Sequence, residues 1–120
     1  MRVVLRIGGS VVASPVDPKL INQYARLLTS LKKQKKSLVV VVGGGNMARE
    51  MISVAKDIGL GERVQDEIAI SVSRIFAQLF LMRLGKIACR TVPKTLKQAA
   101  ECVSQGRIAV MGGLKAGMTT

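Results

Sequence analysis

Histidine and tryptophan are absent from this chain of 120 residues, and the other aromatics amount to one tyrosine and two phenylalanines. Without histidine there is no Ser–His–Asp nucleophile, no imidazole general base and no histidine metal cluster. The two cysteines, Cys89 and Cys102, match neither a zinc spacing nor a disulfide framework, and read as buried thiols of a cytosolic protein. Nineteen Lys plus Arg against seven Asp plus Glu give a formal charge of +12, which attracts polyanions. With so few aromatics there is little on which bases could stack. Much of the charge is also spread along helical faces, with only Lys32, Lys33, Lys35 and Lys36 in a short run. Nucleic acid is therefore not the expected partner. The most lipophilic stretch, Ile68 to Leu84, is interrupted by Ser71, Ser73, Arg74, Gln78 and Arg83, and a membrane span needs roughly 20 mostly apolar residues. No basic region and apolar segment precede the first strand, so no signal peptide is expected. What remains is a cytoplasmic chain, 48% hydrophobic and free of low-complexity tracts, of a size for one domain with a real core.

The richest stretch present is Leu38-Val39-Val40-Val41-Val42-Gly43-Gly44-Gly45-Asn46. Five apolar residues without polar alternation suit a strand covered on both faces, as in a parallel sheet. The glycines let the backbone bring its N–H groups close to an anion at the following helix N-terminus. An ordinary strand-to-helix turn is the alternative reading of the triplet.

The same device recurs along the chain. Arg2 to Ile7 reads as a strand opening into Gly8-Gly9-Ser10, and Arg107 to Met111 as a strand opening into Gly112-Gly113. Between these lie several helices. One is capped by Asp17 with Pro18 at its first position and carries the stripe Leu20, Tyr24, Leu27, Leu28 and Leu31. The next is capped by Asn46 and stopped at Gly59 and Gly61. A long helix runs from about Asp66 to Leu84, and a last one follows Pro93 to about Gln105, after a short strand near Ile87 to Arg90. The long helix is apolar on two sides, which calls for both the sheet and a second partner, another subunit or a missing part of the chain. In an α/β sheet, ligands bind outside the carboxyl ends of the strands. Three glycine-bearing strand ends on one edge make a phosphate-binding site the leading expectation.

Candidate cradles are the main-chain N–H groups of Gly8, Gly9, Gly43, Gly44, Gly45, Gly112 and Gly113, with Ser10 beside the first pair. Arg49, one turn into the helix after the triplet, can reach a phosphate bidentately or serve as a solvated helix charge. Arg6 can stay exposed by alternation or neutralise charge on a transferring phosphoryl group. Asp66 is either the cap of the long helix or an acceptor for a sugar hydroxyl. Thr119 and Thr120, with Gly117, offer hydroxyl and backbone groups near the end of the sequence. No metal-ligating set is expected. The glycines match neither Gly-x-x-x-x-Gly-Lys-Ser/Thr nor a strong Gly-x-Gly-x-x-Gly fingerprint. Phosphoryl transfer to a phosphate acceptor fits, because it depends mainly on positioning and electrostatics and the acceptor is its own nucleophile.

The ordered set Leu5-Arg6-Ile7-Gly8-Gly9-Ser10, Gly43-Gly44-Gly45-Asn46-Met47-Ala48-Arg49, Asp66 through Arg74 with Ala77, and Gly112-Gly113-Leu114-Lys115-Ala116-Gly117-Met118-Thr119-Thr120 resembles the amino-acid-kinase superfamily. Within it, the set resembles the archaeal-type uridylate kinases, over essentially the whole chain. The resemblance implies a three-layer α/β/α fold with a mostly parallel central sheet. It implies transfer of the γ-phosphoryl group of ATP to UMP, with Mg²⁺, and a homo-oligomer, commonly a hexamer. Gly43–Gly45 and Arg49 would hold the UMP phosphate and Asp66 the ribose. Gly112 to Thr120 would close around the nucleotide, and Arg6, Gly8, Gly9 and Ser10 would face the transferring group. Arg6 stands where many relatives have lysine, Phe76 where asparagine is usual, Ala69 where glycine is usual and Ser73 where threonine is usual. The relatives are roughly twice as long, with most of the ATP site in their second half. Residues 1–120 are thus read as the acceptor-binding half of such a domain, truncated and inactive as a kinase by itself. Another phosphate-acceptor kinase of the superfamily, or a non-catalytic nucleotide-binding or oligomerising half-domain, is the alternative.

Overall fold

The structure is a computed structural model describing residues 2–8, 17–34 and 37–113. Strands β1 (Arg2–Ile7), β2 (Ser37–Val42) and β3 (Ala109–Met111) form a parallel sheet in the order β1-β2-β3. Val3, Leu5 and Ile7 align with Leu38, Val40 and Val42, and Val39 and Val41 with Ala109 and Met111. In-register partners share a face, because side chains alternate with period two. Leu38, Val40 and Val42 are no more than 1% exposed, so the apolar run of β2 forms the centre of the core.

The helices are α1 (Pro18–Lys33), α2 (Gly45–Asp57), α3 (Glu62–Leu84) and α4 (Leu96–Ser104). Asp17 caps α1 by accepting from the Lys19 N–H at 2.9 Å, with Pro18 at the first position. α1 and α3 pack together through an edge-on Tyr24–Phe80 contact, ring centroids 6.3 Å apart, and through Arg83 Nε donating to Asn22 Oδ1 at 2.7 Å. α2 lies along α3.

Beyond β3 the chain makes one further parallel pairing, Ala88 with Ile108. Cys89 N–H donates to Ile108 O and Ile108 N–H to Ile87 O. This places Ala88 at a fourth strand position, from which α4 leads back to β3. The return reverses the direction of the β1-to-β2 crossover, and right-handed crossovers then put α4 on the face opposite α1 and α3. The result is the expected three-layer α/β/α arrangement. Over β1 the α4 face is open: Val4 is 61% exposed and Arg6 is exposed beside it.

Several local expectations are corrected. The strand near Ile87 to Arg90 is a 3-10 turn, Gly85–Ile87, followed by the single bridge residue Ala88. The chain bends away at Arg90 and Thr91 before more pairs can form. α3 begins at Glu62 rather than Asp66, because Gly61 provides an extended N-cap and Glu62 puts an acid in the first turn. α2 is capped by Gly44, and Asn46 is already helical. Cys89 and Cys102 are both buried, as expected, but are joined in a disulfide with Cα atoms 5.8 Å apart. The pairing of Cys89 with Ile108 folds it back beside the last turn of α4, which the sequence spacing does not reveal.

By length and mean hydropathy (1.4), Glu62–Ile87 is also a candidate membrane span. In this fold it is a core helix: Val72, Phe76, Ala77, Phe80, Leu81 and Leu84 are buried, while Ile75, Leu79 and Met82 remain exposed along its outer side.

Candidate functional site

Because all three strands are parallel and in register, their carboxyl ends meet at one edge. β1 ends at Ile7 beside Val42, and Val41 pairs with Met111. The ladder runs on into the first glycines, with Gly43 N–H donating to Ile7 O at 3.1 Å. Gly43–Gly45 therefore sits centrally, with Gly8 on one side and Gly112–Gly113 on the other. The sequence expectation of one shared edge holds for these residues. Gly9, Ser10, Gly117, Thr119 and Thr120 lie outside the described residues.

The triplet turns straight into α2. Gly45 has φ +58°, a left-handed conformation that costs little only for glycine. Gly44 supplies no side-chain cap, and the first N–H groups of a helix have no intrahelical partner. The opening turn of α2 thus offers main-chain donors and the positive end of the helix dipole at the sheet edge. Arg49 is exposed on the next turn, with Nη1 donating to Asn46 Oδ1 at 2.7 Å.

The second wall is α3. A Cβ on Gly44 would stand 2.6 Å from Ala48 Cβ and 3.5 Å from Ala69 O, and one on Gly112 would stand 2.7 Å from Arg74 N and 2.8 Å from Ser73 C. One on Gly113 would meet Ile70 Cγ1 at 2.8 Å. Residues 69–74 of α3 therefore floor both glycine turns, and Gly112 and Gly113 approach α3 that closely only because they carry no side chains, whereas Gly44 is pressed by Ala48 of α2. Asp66 lies three residues before Ala69, hence on the same side of the helix one turn nearer its N-terminus. It is exposed and free to meet a ligand hydroxyl, but it does not cap the helix. Arg6 is exposed at the end of β1, as alternation allows. Phe76 is 6% exposed within the core and presents no polar group to the edge.

Sequence reasoning notes Ser73 only as an interruption of the apolar helix and a replacement for a usual threonine, and gives it no role at the site. It is the one buried polar residue among the described residues. Its Oγ donates to Ile70 O at 2.7 Å and accepts from Gly113 N–H at 2.8 Å. A hydroxyl in helical register with Phe76, Ala77 and Phe80, on the buried stripe, was the available clue. Away from this edge, an open depression of about 530 Å³ is lined by Arg74, Arg90 and Lys94 beside Leu81 and Met82. Arg74 is already engaged there, donating to Val92 O and Pro93 O at 3.1 and 3.0 Å.

The model of the amino acid kinase family matches residues 1–120, the whole chain. The chain belongs to that family. Within it, the chain is 43% identical over 120 residues to a uridylate kinase of Methanococcoides burtonii, covering 51% of that protein. It is 41% identical to a uridylate kinase of Methanothermobacter thermautotrophicus, covering 53% of it. Among solved structures, that of the uridylate kinase from Archaeoglobus fulgidus superposes with a TM-score of 0.90 at 37% identity, over all of this chain and 54% of the other. The resemblance is to the N-terminal half of such a kinase, and the chain spans about half the length of the curated relatives it matches. In this chain the strand ends, the α2 N-terminus and the 69–74 segment of α3 meet at that one edge.

Proposed function

We propose that this chain forms the UMP-binding side of a uridylate kinase, in which the γ-phosphoryl group of ATP passes to the UMP phosphate to give UDP. The observation that carries the reading is the packing of α3 residues 69–74 under both Gly44 and Gly112–Gly113. That packing joins two backbone-lined turns into one rim, in a chain 37–43% identical to uridylate kinases. The UMP phosphate lies against Gly43–Gly45 and the α2 N-terminus, where main-chain donors need no side chain to reach an anion. Arg49 adds a charge-assisted contact from the next turn. Asp66 accepts from the ribose hydroxyls. Arg6 and Gly8 border the side from which the donor phosphoryl group approaches, and Arg6 takes the place of a lysine as a bulkier, fork-shaped cation. Gly9, Ser10, Gly117, Thr119 and Thr120 complete the site in this reading.

Among the described residues no group of three or more His, Cys, Asp or Glu side chains could hold a metal ion. Mg²⁺ needs no such group, because it is held mainly by nucleotide phosphates and waters with one or two carboxylates, and it would enter this site with ATP. The donor side is supplied by residues corresponding to the other half of the relatives, so the 120-residue chain binds UMP without turning it over. The exposed outer side of α3 is where a second subunit packs in this reading.

Crystals of the chain soaked with UMP test the assignment. Phosphate density between Gly43–Gly45 and Arg49 is the expected result. Density instead at the Arg74, Arg90 and Lys94 depression, or saturable UMP binding that is lost with modest salt as for a polyanion site, overturns it. A parallel assay with ATP and Mg²⁺ should show UMP bound and no UDP formed. Turnover comparable with a full-length relative would refute the half-site reading.

A further inference from the structure

Gly113 lies just beyond β3 at the carboxyl edge of the sheet, and its N–H is not satisfied by the sheet. It donates 2.8 Å to Ser73 Oγ, a hydroxyl that rises from the middle of α3 and is itself 7% exposed. The same hydroxyl donates to Ile70 O at 2.7 Å, which fixes its rotamer and turns its lone pair toward Gly113. Directly beneath, Gly112 has no room for a Cβ against Ser73 C and Arg74 N. The exit of β3 is thus held to α3 at two consecutive residues, once by contact and once by a hydrogen bond. A buried backbone N–H deprived of its acceptor seeks another partner, and here the turn would have to move to find one.

We propose that Ser73 is a positioning residue for the nucleotide site: its hydroxyl sets where Gly112–Gly113 leave the sheet, and so the spacing between Gly43–Gly45 and Gly112–Gly113. The proposal rests on the UMP-binding reading above. It adds a residue that touches no ligand and acts through Gly113. Threonine keeps the hydroxyl and satisfies the same role, whereas alanine keeps the helix and removes the acceptor.

The test uses the full 120-residue chain, with UMP binding followed by calorimetry and the Gly113 amide followed by hydrogen exchange. In Ser73→Ala the Gly113 amide loses protection and UMP binds about tenfold more weakly, while Ser73→Thr restores both. Phe80→Leu, two turns along the same helix, lowers stability without touching the turn and leaves UMP affinity unchanged. Should Ser73→Ala fail to fold, Ser73→Cys, whose sulfur is only a weak acceptor, takes its place with the same expected loss. Retained Gly113 protection or unchanged UMP affinity in these variants overturns the proposal, as does an equal loss in Phe80→Leu. A wild-type chain that binds no UMP overturns the proposed function itself, whereas wild-type binding matched by Ser73→Ala overturns this inference alone.

Discussion

Arg49 and Asn46 meet across the first turn of α2, Nη1 donating to Oδ1 at 2.7 Å. A three-residue spacing puts two side chains on one side of a helix, and here it orders a long cation directly beyond the Gly43–Gly45 turn. Asn46, which reads in sequence as the helix cap, instead orients the arginine. The cap is left to Gly44, whose lack of a side chain leaves the helix end open.

Arg49→Ala should weaken UMP binding about 10- to 100-fold, the span expected for a charge-assisted phosphate contact. Arg49→Lys should recover part of it, since an ammonium keeps the charge but not the fork. Asn46→Ala removes the acceptor that orients the arginine and should cost roughly threefold in UMP affinity. Uridine, lacking the phosphate, should bind wild type and Arg49→Ala alike in calorimetry. An equal loss for uridine would show that Arg49 supports the fold or the base rather than the phosphate.

The glycines after β3 should differ in tolerance although both are buried. A methyl group on Gly112 strikes the backbone of α3, at Arg74 N and Ser73 C, which cannot yield without shifting the helix. On Gly113 it strikes only side-chain atoms of Ile70, which can shift by a few tenths of an ångström more readily than the α3 backbone. Gly112→Ala should therefore destabilise by about 2–3 kcal/mol and Gly113→Ala by about 1 kcal/mol. Urea denaturation would measure both, and a Gly112→Ala chain as stable as wild type would mean that β3 does not press on α3 as described.

The edge that carries the site was legible because parallel strands announce themselves as unbroken apolar runs and their ends as glycines. Leu38–Val42 and Gly43–Gly45 needed no tertiary information. α1 was equally plain, with Asp17 and Pro18 marking its start. Pattern reading failed where a long-range contact decides the local outcome. Ala88 pairs only because Ile108 returns beside it. Cys89 and Cys102 are brought together by the same return. Ser73 looks like one more interruption of an apolar helix until Gly113, forty residues away, is seen to donate to it. The start of α3 differs from the expected Asp66 for another reason: an acid near a helix start is a cap cue, and Gly61 with Glu62 supplies an earlier one.

Reduction of the Cys89–Cys102 bond offers a separate check on how α4 is held. The bond links residues 13 apart in sequence and ties the segment leaving Ala88 to the last turn of α4, with both sulfurs within 3.5 Å of Ile108 O. In the chain-entropy account a loop of about this length contributes roughly 3 kcal/mol by restricting the unfolded chain. Native contacts of two buried thiols survive reduction, so the reduced chain should remain folded but unfold at a lower temperature. Cys102→Ser should resemble the reduced protein, and its stability should no longer respond to reductant. The edge proposed to bind UMP lies at the far end of β3 from Ile108, so UMP affinity should change less than twofold between the two redox states. Melting curves with and without reductant, together with intact mass, would read this directly. Identical melting curves, with mass confirming that the bond forms and breaks, would show that the Ala88–Ile108 pairing and the packing of α4 hold this corner without the cross-link.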